Sequence, residues 1–476
     1  MHVLSVARVL LRLLAIVALF MLFPIVVAVV YDELDLIPYF AVPIAATLVG
    51  AWLGIRLLRR ASDSLSTRDG FLLVAMSWVV VSAVSCLPFY LSGSIPSFTD
   101  AYFETMSGFT TTGASILTDI EALPRSMLFW RSLTHWLGGM GIVVLTVAIL
   151  PFLGVGAYQL IKAEAPGPSL DKITPKITQT AKVLWIIYVV FTVLQTVLLM
   201  AGGMDLFDAL THTFGTLATG GFSPKAASVG HYDSAYIDAV ITIFMVAAGI
   251  NFALYFRAIS TGLGSAFTNA ELRWYLGIFA IATVAVAIAL FGTAYDTFGE
   301  SVRYASFQVA SILTTTGYAT TDFAAWPYAA QIGLFALMFI GGCSGSTGGG
   351  IKVVRIAVLF KLGAMQMKRL SHPRGVFAVR LGGDIIREET IGVIAGFFLL
   401  YIMLLVITTV VVASGGHDIL TSFSSALVTV GNIGPGFGRV GPVENYQFFQ
   451  DYIKWFLSFA MLVGRLEVYT VLILFS

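Results

Sequence analysis

Ten apolar runs separated by polar stretches dominate the chain: residues 9–30, 37–58, 71–91, 127–153, 183–200, 236–256, 276–291, 329–360, 391–412 and 452–474. Each comes near or exceeds the roughly 20 residues that carry a helix across a bilayer's hydrocarbon core. Hydrocarbon satisfies no backbone N–H or C=O, so such runs must fold as helices that satisfy themselves. Charged residues are only 11% of the 476, against about 25% in soluble domains. The expected fold class is an all-α polytopic membrane protein. The first run is too long for a signal-peptide core and lacks a small-residue cleavage site, so it is read as a retained helix.

Charge orients the bundle. With a cytoplasmic N-terminus the inner segments are 56–69, 152–182, 257–273 and 352–389, and with Arg8 and Arg12 they hold 20 of the 27 Lys and Arg residues. The outer loops hold six (Arg125, Arg131, Lys225, Arg303, Arg439 and Lys454), and the positive-inside rule selects this orientation. Acids run the other way, 17 of 26 outside and eight inside, with Glu467 in the last run. Such a face attracts cations. Loop solubilisation accounts for the same bias, and charge alone leaves both open.

Between the runs a half-length segment recurs: "FETMSGFTTTGAS" (103–115), "LTHTFGTLATGGFS" (210–223), "FQVASILTTTGYAT" (307–320) and "TSFSSALVTVGNIG" (421–434). Aligned on Gly113, Gly220, Gly317 and Gly431, the copies stand 107, 97 and 114 residues apart. The chain therefore divides into a two-helix extension (1–69) and four units (70–160, 161–260, 261–370 and 371–476), each helix–loop–helix. Expected helix caps are Thr99 or Asp100, Asp205, Thr297 with Glu300 as a capping box, and Asp418. A dozen helical residues cover about 18 Å, half the core, so each segment enters and leaves by the outer side.

Irregular backbone at membrane depth persists only where it lines a watery cavity or is buried in protein. Four such turns around a central pore would present main-chain carbonyls that replace a cation's hydration shell, with negative helix ends behind them. The candidate filter residues are Thr111, Thr112 and Gly113; Ala218, Thr219 and Gly220; Thr315, Thr316 and Gly317; and Thr429, Val430 and Gly431. Small-residue packing between helices is the competing reading for one copy; four corresponding copies favour the filter.

These loops, "THTFGTLATGGFS" above all, and the ending "MLVGRLEVYTVLILF" resemble the Trk/Ktr/HKT superfamily of cation transporters over nearly the whole chain. Within it the Trk-type bacterial subunits, which carry an extra N-terminal helix pair, are the most similar. The resemblance implies a potassium-uptake subunit of the bacterial cytoplasmic (inner) membrane, with K+ as the transported ion and no organic cofactor. It implies a homodimer in membrane lipid, bound to a cytosolic nucleotide-binding ring of TrkA type that responds to NAD, ATP or ADP, with no nucleic-acid partner. Filter glycines in all four loops imply potassium preference, whereas a first-loop serine in some plant members accompanies sodium preference. Val430 departs from the family's Thr-Gly pattern.

The run 329–360 is too long for one crossing, and its middle reads "GGCSGSTGGG". Each glycine costs a helix about 1 kcal/mol relative to alanine, so a break is expected over Gly341, Gly342, Cys343, Ser344, Gly345, Ser346, Thr347, Gly348, Gly349 and Gly350. It is read as an intramembrane gate, with a plain kink as the alternative; "GGGIK" lacks the Gly-Lys-Ser/Thr ending of a phosphate-binding loop. Arg465 lies within the last run, where a charge costs at least about 2.5–3.5 kcal/mol. It either faces the pore and repels cations or forms a buried ion pair; Glu467, two residues on, faces elsewhere. The basic inner segment from Lys352 to Arg387 is a docking face or a topology signal, both left open.

His212 and Thr213 are read as packing and hydrogen-bonding groups, and His135, His231, His372 and His417 as scattered. Cys86 and Cys343 suggest neither a disulfide framework nor a metal site. No nucleophile, zinc or phosphate-binding constellation supports an enzyme. The remaining alternative to channel-like conduction is a proton- or sodium-coupled symporter, which needs a mid-membrane carboxylate; Glu467 is the candidate.

Overall fold

The computed structural model describes residues 3–59, 66–149, 177–262 and 264–474. The inner segment 152–182 therefore lies almost wholly outside the described residues. Six helices among those described are long and apolar enough to cross a membrane, and a seventh if one bent pair counts as a span. Much of their apolar surface (Val193, Ile281 and Ile288 among it) faces outward, the arrangement lipid favours and water opposes.

The N-terminal extension forms α1 (Val3–Phe20), α2 (Leu22–Val30) and α3 (Ile37–Leu57). The first unit holds α4 (Thr67–Ser85), α5 (Leu87–Leu91), the short α6 (Phe98–Phe109) and α7 (Arg125–Ile149). In the second lie α8 (Ile177–Ala201), the short α9 (Leu206–Ala218), α10 (Ala235–Ala248) and α11 (Phe252–Thr261), and α12 (Gly264–Phe267) follows at the start of the third. The third continues with α13 (Ala270–Leu290), the short α14 (Phe298–Leu313), α15 (Tyr328–Leu337) and α16 (Val353–Ser371). The fourth comprises α17 (Glu388–Ala413), the short α18 (Ile419–Val430), α19 (Asp451–Arg465) and α20 (Val468–Leu472). A minute antiparallel hairpin, β1 (Arg380–Leu381) with β2 (Asp384–Ile385), turns on Gly382 and Gly383 between α16 and α17.

Three expected spans are broken, sharply bent or cut short. The run 329–360 is broken between Leu337 and Val353, as the glycines dictate. The run 236–256 bends by 91° between α10 and α11, where Gly249 ends one helix and the Asn251 side chain caps the next by accepting from Ala253 N–H at 2.9 Å. The run 452–474 ends its helix at Arg465, with Glu467 at φ 60°.

The four short helices occupy the centre. Residues Asp100 to Phe109 of α6 are all buried, and the Ser and Thr of α9, α14 and α18, apart from the half-buried Ser306, are buried with them. A helix polar on several faces survives here because protein, not lipid, surrounds it. Around it α6 packs on α4 and α7, α9 on α7, α8 and α10, α14 on α10, α13 and α15, and α18 on α17 and α19. Helix α19 in turn packs on α6, closing the chain on itself. The extension is tied on by Glu33, whose carboxylate accepts from Arg125 and Ser126 N–H at 2.7 and 2.9 Å and so caps α7.

Asp205, Thr297 and Asp418 cap their helices as expected, accepting from Asp208, Glu300 and Thr421 N–H. The first helix differs: Ser97, not Thr99 or Asp100, accepts from Asp100 N–H at 3.3 Å. Thermal unfolding in detergent is expected to report a loss of about 1 kcal/mol for Ser97→Ala. Thr99→Ala should stay within about 0.5 kcal/mol of wild type.

Candidate functional site

Each short helix ends in the same turn. A residue at the helix end is left-handed without being glycine: Thr111, Thr315 and Asn432, each just after the helix cap, and Thr219, itself the cap, at φ 52°, 60°, 53° and 55°. The next N–H reaches back five residues: Thr112 to Ser107 at 2.9 Å, and Gly220 to Gly215, Thr316 to Ser311 and Ile433 to Val428 at 2.8 Å. This is the six-to-one bond of a Schellman turn. A glycine at positive φ follows each time: Gly113 (79°), Gly221 (81°), Gly317 (82°) and Gly434 (93°). A β-branched threonine in this region is an outlier; strain of this kind costs about 1–3 kcal/mol per residue and persists only where surroundings impose it.

The four turns meet. A Cβ placed on Gly113 would fall on the Gly220 carbonyl oxygen, on Gly221 that of Thr316, on Gly317 that of Ile433, and on Gly434 that of Thr112. Each glycine abuts the carbonyl of the next loop, and the fourth returns to the first. The same four glycines line a cavity of about 120 Å3.

This geometry fixes the repeat register. Thr111, Thr112 and Gly113 correspond to Thr315, Thr316 and Gly317. In the second loop the equivalents are Thr219, Gly220 and Gly221, one residue later than the alignment on Gly220 expects. In the fourth they are Asn432, Ile433 and Gly434, three residues later; Thr429 and Val430 lie inside α18, and Gly431 is its cap at φ −79°. The signals were present: loop two has adjacent glycines, and asparagine is the non-glycine residue most tolerant of left-handed torsions.

Behind the turns, charged and aromatic groups brace them. Glu104, on α6, accepts from Arg131 Nε at 2.6 Å, Ser115 Oγ at 2.9 Å and Ile116 N–H at 2.8 Å. Arg131 also donates from Nη1 to Ser223 O at 3.0 Å and lies 3.6 Å over the Phe222 ring. One buried guanidinium thus ties the first loop to the second. His135 Nδ1 lies 2.7 Å from Gly108 O, its ring stacks on Phe222 at 4.0 Å, and it fills the space beside Gly220. Asp100 pairs with Lys454 at 2.6 Å, and Asp238 with Arg303 at 2.7 Å. His212 hydrogen-bonds Asp208 O and Ser223 Oγ at 2.8 and 3.0 Å. Arg131, Lys454 and His135, read as loop charges and a scattered histidine, are buried parts of this framework; no sequence spacing signals it, because the partners come from different units.

Beneath the ring lies the glycine segment. Gly341 N–H donates to Ile351 O at 2.8 Å, pinching the segment into a loop. Cys343 N–H donates to Gly249 O and Phe252 N–H to Gly345 O, at 2.8 and 3.1 Å, docking it on the α10–α11 bend. Thr347 Oγ1 reaches Leu217 O at 2.9 Å, and Gly349 N–H reaches Thr315 Oγ1 at 2.7 Å. Ser344 N–H donates to Glu271, and Lys352 Nζ to Gly348 O. Arg465, 4% exposed, donates from Nη1 to Thr347 O at 2.7 Å. Its Nε and Nη2 have no hydrogen-bond acceptor and no carboxylate pairs with it among the described residues, which overturns the buried ion-pair alternative. Glu467 is taken by Arg355.

Four short helices ending in one ring of re-entrant turns, inside an apolar helical bundle, define a polytopic membrane protein of the cation-transport class. The chain belongs to the TrkH family of cation transport proteins, which matches residues 44–476. It is 42% identical over 422 residues to the Trk system potassium uptake protein TrkH of Escherichia coli K12, covering 88% of this chain and 87% of that protein. It is 39% identical over 484 residues to the protein of that name from Vibrio parahaemolyticus, covering 99% and 98%. The crystal structure of the potassium transporter TrkH from Vibrio parahaemolyticus superposes with a TM-score of 0.90 at 37% identity, covering 100% of this chain and 99% of that one. These relatives are named as transport proteins, not enzymes, in line with the sequence.

Removing one partner of a buried pair strands the other charge. Arg131→Met is expected to cost about 3–5 kcal/mol. The double variant Glu104→Gln/Arg131→Met should cost less than Arg131→Met alone in a thermal double-mutant cycle.

Proposed function

We propose that this chain is the ion-conducting membrane subunit of a potassium-uptake system, and that the ring of four turns is its selectivity filter. The observation that carries this reading is the cyclic contact of each turn glycine with the next loop's carbonyl. Oxygens so closely packed repel one another unless a cation sits among them, and four negative helix ends add to the field. The names of the relatives support potassium as the ion. Repeated units over 70–160, 161–260, 261–370 and 371–476 supply one turn each. The filter strands are Thr111, Thr112 and Gly113; Thr219, Gly220 and Gly221; Thr315, Thr316 and Gly317; and Asn432, Ile433 and Gly434.

The segment 341–350 is the gate in this reading, with Arg465 its latch. Its polar ties to the surrounding helices are individual hydrogen bonds, many of them main chain. The guanidinium sits below the filter with two N–H groups unmatched, so a cation leaving the ring meets a positive charge until loop and arginine part. Conduction is channel-like, driven by about 2.3 kcal/mol per charge per 100 mV. Coupled symport gains nothing from Glu467, whose carboxylate is occupied by Arg355. The subunit sits in the bacterial cytoplasmic membrane with its N-terminus inside, as a homodimer. A cytosolic nucleotide-binding ring then works the gate through the basic inner segment.

Two fluxes in liposomes test this. Gly113→Ser and Gly434→Ser must push the abutting carbonyl aside, and both are expected to weaken rubidium-over-sodium discrimination. Wild-type selectivity in both variants overturns the filter reading. Deleting one glycine from 341–350 should raise basal flux and leave selectivity alone.

A further inference from the structure

The four turns share a backbone but not what touches their last carbonyl. Among the described residues the carbonyl oxygens of Gly113, Gly221 and Gly317 accept no hydrogen bond, whereas that of Gly434 accepts one from the Tyr446 hydroxyl at 2.7 Å. The donor is built in rather than adventitious. Tyr446 is 3% exposed, its N–H donates to Ser115 O at 2.8 Å, and its ring packs against Phe103 and Phe449 at 5.6 and 5.8 Å. One residue thereby anchors the fourth turn to the chain leaving the first. It also lines the cavity above the ring.

Tyr318 makes a useful contrast. Its hydroxyl lies 3.0 Å from His212 O and 3.1 Å from Phe222 O, neither of them a turn glycine. Of the described tyrosine hydroxyls, that of Tyr446 alone grips one of the four glycine carbonyls.

Resting on the filter reading, we propose that Tyr446 is a specificity-determining positioning residue. It pins the Gly434 carbonyl, so that the outermost cation site is formed by three free oxygens and one that is shared. A carbonyl has two lone pairs; with one committed to a hydroxyl, the oxygen offers a weaker field and cannot swing inward. Closing on a smaller ion such as sodium requires all four oxygens to move in. The pinned fourth prevents that closure and keeps the site wide enough for potassium or rubidium.

Tyr446→Phe removes one oxygen atom and keeps the ring contacts. In the full-length protein in liposomes, with radiolabelled rubidium and sodium, the rubidium-to-sodium flux ratio is expected to fall about three- to tenfold, the span of one buried hydrogen bond. An unchanged ratio overturns the proposal, as does a lower melting temperature with the ratio intact, since that marks a purely structural role. Should the Phe variant not fold, a trifluorotyrosine at 446, a stronger donor of nearly the same shape, is expected to raise the ratio; no change then overturns it. Wild-type vesicles without selective rubidium flux would instead sink the filter reading itself.

Discussion

Every backbone N–H and C=O carried into hydrocarbon must find a partner, and the rest of this structure follows from how the four short helices meet that demand. Each reaches about half-way and stops, leaving its last carbonyls without intrahelical donors. The chain answers with a Schellman turn at each end, at the cost of three threonines and an asparagine in left-handed torsions. The turn closes only if a glycine follows, because the carbonyl of the next loop occupies the space a Cβ would take. Strain in one loop is therefore held by contact with its neighbour, around a closed ring.

The surroundings of the ring divide into a framework of buried ion pairs and a glycine-rich segment held by hydrogen bonds. Above and behind the ring are buried ion pairs, Glu104 with Arg131 and Asp100 with Lys454, each with further hydrogen bonds to main chain or side chain. A buried charge so satisfied is hard to move, since breaking it strands its partner. Below the ring, the glycine segment is tied by isolated hydrogen bonds and by one arginine whose guanidinium is only partly satisfied. In the proposed reading a filter keeps its dimensions while a gate changes, and the two sides of the ring differ in the sense that reading requires.

How much of this was legible in the sequence depends on range. Hydrophobic run lengths located six crossings, and a seventh as a bent pair, among the described residues, and three of the four caps were readable because a cap bonds three residues ahead. The broken helix at Gly341 to Gly350 was equally local. The repeat was visible, but its register was not: alignment on the first glycine of "TGGF" and of "VGNIG" chose residues one and three places early. Torsion angles and the back-reaching hydrogen bond decide that, and sequence spacing does not encode them. The bend at Gly249 looked like part of a continuous apolar run, because composition does not distinguish a straight crossing from one turned through 91°. Least legible was the framework behind the ring. Glu104 and Arg131 are 27 residues apart, and Asp100 and Lys454 are 354 apart, so only the closed fold brings them together.

The central claim is that main-chain oxygens of four turns form one cation site. Anomalous diffraction from crystals soaked in thallium or rubidium examines it without any substitution. The account predicts cation peaks inside the ring, bounded by the carbonyls of Thr112, Gly220, Thr316 and Ile433. Peaks confined to the outer cavity or the protein surface, with an empty ring, would contradict it.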